Sequence, residues 1–302
     1  MRTDRFVDAH DGIRIAVRDE GGSGPDLLLL HGAGTHLLSL FNLVRKFTDD
    51  FRVVSMDARW SGQSGDSERY DWADLVADVD AVVDQLGLRD PVVGGHSWGG
   101  MIAAHWGATH PEARAVINLD GHGAGDRSLY DGVTDEQYEA STQLRASAGM
   151  PELDDEGDAA WLEEARRTTR AMTEAMGVPA DLVDEFAERN FVELAPGRWR
   201  RHPGRQIYEG LAGDQEMFAV YRRAACPLQI FNCTADTPGP PDELLPMMRA
   251  YRRGLGRALR ELAAERPNVD VVELPEFHHN GVLAGGAKVA AAEIRRFLAT
   301  VR

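Results

Sequence analysis

Residues 95–100 read Gly-His-Ser-Trp-Gly-Gly, set directly between the short apolar run Pro91-Val92-Val93-Gly94 and the helix-prone Met101-Ile102-Ala103-Ala104. A serine flanked in this way sits on a very tight strand-to-helix turn. The turn crowds the positions two residues either side of it against each other, and only glycine leaves room there, which Gly95 and Gly99 supply. It also leaves the Ser97 hydroxyl at the N-terminus of the next helix, where free backbone N–H groups and the helix dipole favour negative charge. Ser97 is therefore the candidate nucleophile. A GxSxG string alone could arise by chance in a chain with 31 glycines, and the strand and helix around it give it weight.

The rest of the chain repeats that strand-and-helix rhythm. Phe6-Val7 and Ile13 to Val17 predict an opening hairpin, followed by a loop from Gly21 to Pro25. Leu27 to Leu30, Val53-Val54, Pro91 to Gly94, Ala115 to Leu119, Leu228 to Phe231 and Val269 to Val272 are short and apolar on both faces, as buried parallel strands are. Between them, Leu37 to Phe47, Asp71 to Gln85, Gly99 to Thr109, Pro241 to Glu265 and Val282 to Val301 carry helical patterns. The expected class is α/β, a mostly parallel central sheet with helices on both faces.

One interval breaks the rhythm. Gly121 to Ala225 holds helical patterns and no convincing strand, predicting a helical cap (121–225) inserted between two parts of one core (1–120 and 226–302). Thr134 and Gln137 have capping-box spacing, and Trp161, Ala165, Thr168 or Thr169, Met172 and Met176 form a stripe at helical spacing, expected to be packing. A shorter pattern, Leu182 and Phe186, follows Pro179.

A chain of 302 residues with formal net charge −16 repels phosphate backbones and acidic lipid surfaces, so neither nucleic acid nor membrane is an expected partner. The N-terminus lacks a signal-like apolar stretch and no run reaches a membrane span, so a soluble cytoplasmic protein is expected. Cys226 and Cys233 bracket one extended strand, too far apart to bridge, and are expected to be free thiols.

Taken together, the arrangement resembles the α/β-hydrolase fold over nearly the whole chain, with the serine turn after the fifth strand and a cap after the sixth. His31-Gly32-Ala33-Gly34 resembles the fold's HG-type oxyanion loop, and Asp57-Ala58-Arg59-Trp60-Ser61-Gly62-Gln63-Ser64 a segment usually reading DxRGxGxS, with Trp60 where glycine is common. The resemblance implies an oxyanion hole from the N–H groups of Trp98 and Ala33, or Gly34 in place of Ala33, with His31, Gly32, Gly34, His36 and Trp60 as candidate substrate-binding residues.

A serine hydroxyl needs a base to take its proton and a carboxylate to orient that base. The fold's chain order is serine, acid, histidine. Asp236, after the Leu228 to Phe231 strand and before Pro238-Gly239-Pro240-Pro241, is the favoured acid, with Asp120, after the Ala115 to Leu119 strand, as the rival. Leu274-Pro275-Glu276-Phe277-His278-His279-Asn280 offers two bases, of which alignment of Pro275 with the proline usual before the fold's Gly-His pair favours His279 over His278. His105 and His110 lie too far along their helix and are expected to be structural, whereas His36 and His122 could line a pocket.

No HExxH, paired CxxC or ligand-spaced carboxylate cluster appears, the acidic run Asp154-Asp155-Glu156 suits a solvated face, and neither metal nor cofactor is expected. Arg198, Arg200, Arg201, His202 and Arg205 in the cap could recognise a carboxylate or balance local charge. The implied activity is serine hydrolysis of a carboxylic ester or lactone beneath the cap. Amide, peptide or C–C bond cleavage and acyl transfer share the same residues, whereas the fold's haloalkane and epoxide branches use aspartate where Ser97 stands. A non-catalytic small-molecule binder on the same fold is the alternative. A small molecule is the expected partner, with a homodimer left open.

Overall fold

The computed structural model describes residues 4–69, 71–123, 127–147, 156–203, 216–239 and 241–301. The opening hairpin forms from β1 (Asp4–Asp8) and β2 (Arg14–Gly21), paired antiparallel. The strands β3 (Asp26–Leu30), β4 (Arg52–Met56), β5 (Val92–His96) and β6 (Ala115–Leu119) follow, and after the cap β10 (Leu228–Cys233) and β11 (Val269–Leu274) complete an eight-stranded sheet in the order β1-β2-β4-β3-β5-β6-β10-β11. From β4 to β11 every pairing is parallel. The apolar runs predicted these strands because they face helices on both sides: β3, β5, β6 and β10 are buried at every residue.

Two apolar clusters flank the sheet. One packs α2 (Trp72–Gln85) and α3 (Trp98–Thr109) with the chain's longest described helix (Leu245–Glu265), and the other packs α1 (Phe41–Phe47) and the final helix (Ala287–Leu298). Asp71 caps α2 by accepting from the Asp74 amide at 2.9 Å. The last helix starts five residues later than its pattern, because Gly281 and Gly286 sit in a turn whose amides bond back to His278 and Gly281.

Between β6 and β10 the inserted segment, where a cap is expected, contributes α4 (Asp135–Ser147), α5 (Ala159–Ala175), α6 (Val183–Glu188) and α7 (Met217–Arg223). The Thr134–Gln137 capping box forms with both reciprocal bonds, at 2.9 and 3.2 Å. The expectation of a strandless interval does not hold: β7 (Glu156–Gly157), β8 (Phe191–Ala195) and β9 (Arg198–Arg201) make a small antiparallel sheet, with Gly197 at φ +80° in the turn joining β8 to β9. Nor is the α5 stripe the packed face. Leu162, Ala165 and Thr173 are buried while Met172 and Met176 are each 63% exposed, so the packed face is rotated around the helix from the predicted one.

Buried charges fasten this inserted segment to the rest of the chain. Arg189, at the C-terminus of α6, pairs with Asp4 and, at 2.6 Å, with the fully buried Asp57, whose carboxylate also accepts the amides of Leu37 and Gln63 at 2.7 and 2.9 Å. Arg18 joins Asp4 to Glu185 on the same side. The basic cluster serves the same purpose: Arg200 and His202 both bind Asp66, at 2.6 and 3.0 Å, and a second ring nitrogen of His202 bonds the Gly62 carbonyl at 2.8 Å. Arg198 pairs with Glu156 on the cap's own surface; Arg205, Asp154 and Asp155 lie outside the described residues.

Candidate active site

At the C-terminal edge of β5 the chain reverses into α3 through Ser97, whose φ of +55° and ψ of −121° only a tightly held turn sustains. The turn is packed to the limit. A Cβ on Gly95 would lie 2.3 Å from the Gly99 carbonyl carbon, and one on Gly99 would lie 2.4 Å from the Leu30 oxygen. The neighbouring strand closes in as well: the Ser97 amide donates to Leu119 at 2.8 Å, and a Cβ on Gly121 would strike the Ser97 oxygen at 2.1 Å.

This approach of β6 to the turn brings Asp120, not Asp236, to His279. Asp120, at the end of β6 with φ +59°, directs its carboxylate at the loop after β11. Ser97 Oγ–H donates to His279 Nε2 at 2.9 Å, and His279 Nδ1–H donates to Asp120 Oδ2 at 2.7 Å. The ring tautomer follows from the carboxylate, which can only accept. Oδ1 of Asp120 accepts the Cys233 amide at 2.7 Å, and the His122 ring stands 3.7 Å away. Burial alone would raise the Asp120 pKa, but the bond from His279, the fields of His122 and His279, and the Cys233 amide together hold it below the usual carboxylate range.

The favoured acid of the sequence reading stands elsewhere. Asp236 is 37% exposed and its carboxylate is taken by two guanidiniums, Arg249 at 2.5 Å and Arg252 at 2.9 Å. Its loop carries it onto the long Leu245–Glu265 helix instead of toward His279. A signal for this was present: Arg249 and Arg252 are spaced i, i+3 on the helix that follows, ready to claim one acid.

Of the two adjacent histidines only His279 faces the serine; His278 accepts the Gly281 amide through Nδ1 at 3.2 Å. His96, inside the serine turn, is a residue the sequence reading passed over. Its Nε2–H donates to the His279 carbonyl at 2.9 Å, so the turn itself holds the loop that carries the base. Burial, with the neighbouring His279 ring, lowers its pKa to about 4 and keeps it neutral.

Ser97 and His279 separate two cavities. The smaller, about 230 Å³, is lined by Gly32, Ala33, Thr35, Asn280 and the cap residues Met176, Val178 and Phe186. The larger, about 400 Å³, is lined by Asp120, His122, Asn232, Cys233, Tyr251 and Arg252 among others. Gly32 and Ala33 thus meet the site. Gly34, at φ +78°, turns the loop without lining either cavity. Three other candidates are corrected. His31 is buried, its Nδ1 2.7 Å from the Gly32 oxygen and its Nε2 accepting the Ala58 amide. His36 is sealed at 0% exposure against Phe186, whose carbonyl accepts from it at 3.0 Å. Trp60, at φ +63° where glycine is common, packs beneath Arg200, away from both cavities.

His105 stacks on Trp72 and His110 on Trp106, both away from the serine, while His122 does line the larger cavity with a ring nitrogen donating to Phe231 at 2.8 Å. Cys226 and Cys233 are free and buried, and burial raises both thiol pKa values. Among the described residues no helix is long and apolar enough to cross a membrane.

A mostly parallel eight-stranded sheet, a serine on the turn after its fifth strand and a histidine after its last define the α/β-hydrolase fold. Residues 25–168 match the family model described as alpha/beta hydrolase fold, and the chain is a protein of that fold. It is 37% identical over 105 residues to Epoxide hydrolase 4 of Mus musculus, covering 33% of this chain and 29% of that one. It is 36% identical over 94 residues to a pimeloyl-(acyl-carrier protein) methyl ester esterase of Chromobacterium violaceum, covering 30% and 34%. The matched stretches thus span well under half of these curated relatives. Over 99% of its length it superposes on all of the solved E-2-(acetamidomethylene)succinate hydrolase, with TM-score 0.68 and 21% identity. An alpha/beta hydrolase from Novosphingobium aromaticivorans matches with TM-score 0.63 and 22% identity, over 99% of both chains.

Proposed function

We propose that the protein is a serine hydrolase that cleaves a carboxylic ester or lactone of a small to medium-sized molecule through an acyl-enzyme on Ser97. One observation carries the reading: the unbroken relay from Ser97 Oγ to His279 to Asp120, with contacts of 2.9 and 2.7 Å. Ser97 attacks the carbonyl carbon as its proton passes to His279 Nε2, and the ionised Asp120 stabilises the imidazolium. The oxyanion is received by the amides of Trp98, which as the first residue of α3 has no intrahelical acceptor, and Ala33. The tetrahedral adduct collapses, His279 protonates the departing alkoxide oxygen, and water activated by the same ring hydrolyses the acyl-enzyme.

The mouse relative is named an epoxide hydrolase, but that branch of the fold uses a carboxylate nucleophile, and position 97 holds a hydroxyl. Two cavities meeting at Ser97 give separate room to acyl and alcohol portions. The test is labelling by a fluorophosphonate read by intact mass, beside hydrolysis of short-chain nitrophenyl esters and a lactone panel. Labelling of wild type and not of Ser97→Ala, with at least ~10⁴-fold loss of kcat in that variant, is expected. Absence of labelling in wild type, with tight binding of a small molecule, would make the protein a receptor instead.

A further inference from the structure

The larger cavity contains two groups that the relay does not use. Arg252, with a side chain 13% exposed, lines it together with Ser97 and His279. Its Nη1 reaches Asp236 at 2.9 Å and its Nη2 donates to the Thr237 hydroxyl at 3.2 Å, which leaves Nε–H uncommitted among the described residues. The Asp236 carboxylate is meanwhile bound by Arg249 through Nε at 3.0 Å and Nη2 at 2.5 Å. Two guanidiniums therefore share one carboxylate, which leaves one positive charge in excess at the Arg252 end of the cavity, while the ionised Asp120 that also lines it is engaged by His279 and the Cys233 amide.

The second group is independent of the first. Asn232, in β10, lines the same cavity at 1% exposure, and neither its Nδ2 nor its Oδ1 has a hydrogen-bond partner among the described residues. Buried amides are almost always paired, because desolvating one returns nothing unless a partner arrives. Met101, Met248 and Leu255 supply an apolar wall to the same space.

We infer that this cavity is an anion subsite in which Arg252 and Asn232 bind a carboxylate of the substrate, so that the ester or lactone cleaved at Ser97 is an acid-bearing one. A carboxylate accepts from the planar guanidinium and from Asn232 Nδ2 together, satisfying the orphaned amide as it neutralises the surplus charge. The inference rests on the serine-hydrolase reading and adds to it the class of substrate. It also gives Asp236 a positioning role, holding Arg252 against the cavity wall.

The test uses pairs of esters matched in shape and differing in charge. Monomethyl succinate is compared with methyl 4-methylpentanoate, which places the charge on the acyl side, and acetoxyacetate with isobutyl acetate, which places it on the alcohol side. Hydrolysis is followed by pH-stat, and protection of Ser97 from a neutral fluorophosphonate by succinate and by acetoxyacetate is measured alongside. The expected result is a preference in kcat/KM of roughly tenfold or more for the charged member of one pair, falling toward unity in Arg252→Gln and in Asn232→Leu. Because Asn232→Leu removes an unsatisfied buried amide, its melting temperature should hold or rise while the preference is lost, an outcome that a structural asparagine would not give. Neutral members favoured in both pairs, preference unchanged in both variants, or a labelled Ser97 with neither turnover of the esters nor protection by either anion would each overturn the inference. Failure of Ser97 to label at all would instead sink the serine-hydrolase reading beneath it.

Discussion

The ends of β6 and β10 are neighbours in the sheet, and an aspartate follows each, yet the two carboxylates live in opposite environments. Asp120 has a side chain 9% exposed, a left-handed backbone, and two oxygens fully engaged by His279 and the Cys233 amide. Asp236 stands three residues beyond its strand, 37% exposed, between two arginines. A carboxylate that must stabilise an imidazolium cannot serve well if guanidiniums already neutralise it. On the proposed relay, the acid of such a site is selected by its neighbours as much as by its place after a strand.

The largest expected effect breaks the symmetry between these two acids. Asp120→Asn replaces an obligate acceptor by an amide that can present a donor to His279 and stabilise the wrong tautomer, so kcat/KM on any ester turned over should fall about 10³–10⁴-fold. Asp236→Asn, measured in the same assay, should lose far less, and its loss should concentrate on charged esters. Equal losses would mean that the observed relay is not the one used in catalysis.

A second contrast lies between ion pairs that are buried and those that are not. Arg189→Ala would leave the fully buried Asp57 without its cation and is expected to destabilise the protein by about 3–5 kcal/mol in denaturant titration. Because Arg189 also holds Asp4, the substitution should loosen α6 from the core, exposing amides of α6 to hydrogen exchange before those of the sheet.

Acid should act through the buried histidines before it reaches Asp120. Burial lowers His36 to about 3, and burial with His279 lowers His96 to about 4, whereas unfolded histidines protonate near 6.5. The unfolded chain thus binds more protons between these values, so the stability contributed by each neutral ring is complete above pH 6.5 and is lost as pH falls toward the folded value. Each contributes a slope of up to roughly 1.4 kcal/mol per pH unit. His96→Gln retains a donor for the His279 carbonyl and should flatten that slope between pH 6 and 4; an unchanged slope would mean that His96 is already protonated in the folded state.

How much of this was legible depended on what each region asks of its residues. The core strands must be apolar on both faces, so Leu27 to Leu30 and Ala115 to Leu119 announce themselves, and the glycines around Ser97 are forced by contacts that any side chain would violate. The cap has weaker patterning. Phe191–Ala195 and Arg198–Arg201 pair across Pro196-Gly197, a turn signal overlooked among helical periodicities, and the basic residues there look like a ligand site until their partners Asp66 and Glu156 are seen. The acid was hard to read for a different reason. Spacing after a strand is a property of one segment, whereas the choice between Asp120 and Asp236 depends on a third segment, the His279 loop, whose position only tertiary structure supplies.

The smallest effect gives the sharpest reading of the Asp236 region. Arg249 is 55% exposed, and an exposed pair of this kind gains little Coulomb energy in water, so Arg249→Ala should leave the melting temperature nearly unmoved. Its removal nonetheless frees the Asp236 carboxylate to neutralise Arg252 alone. If the Arg252 end of the cavity is cationic because two guanidiniums share that acid, the preference for charged esters should weaken in Arg249→Ala, by less than in Arg252→Gln, although Arg249 does not line the cavity. A preference that stays at the wild-type value would show that Arg252 acts through its hydrogen bonds and not through the surplus charge, and the two acids would then differ in geometry more than in field.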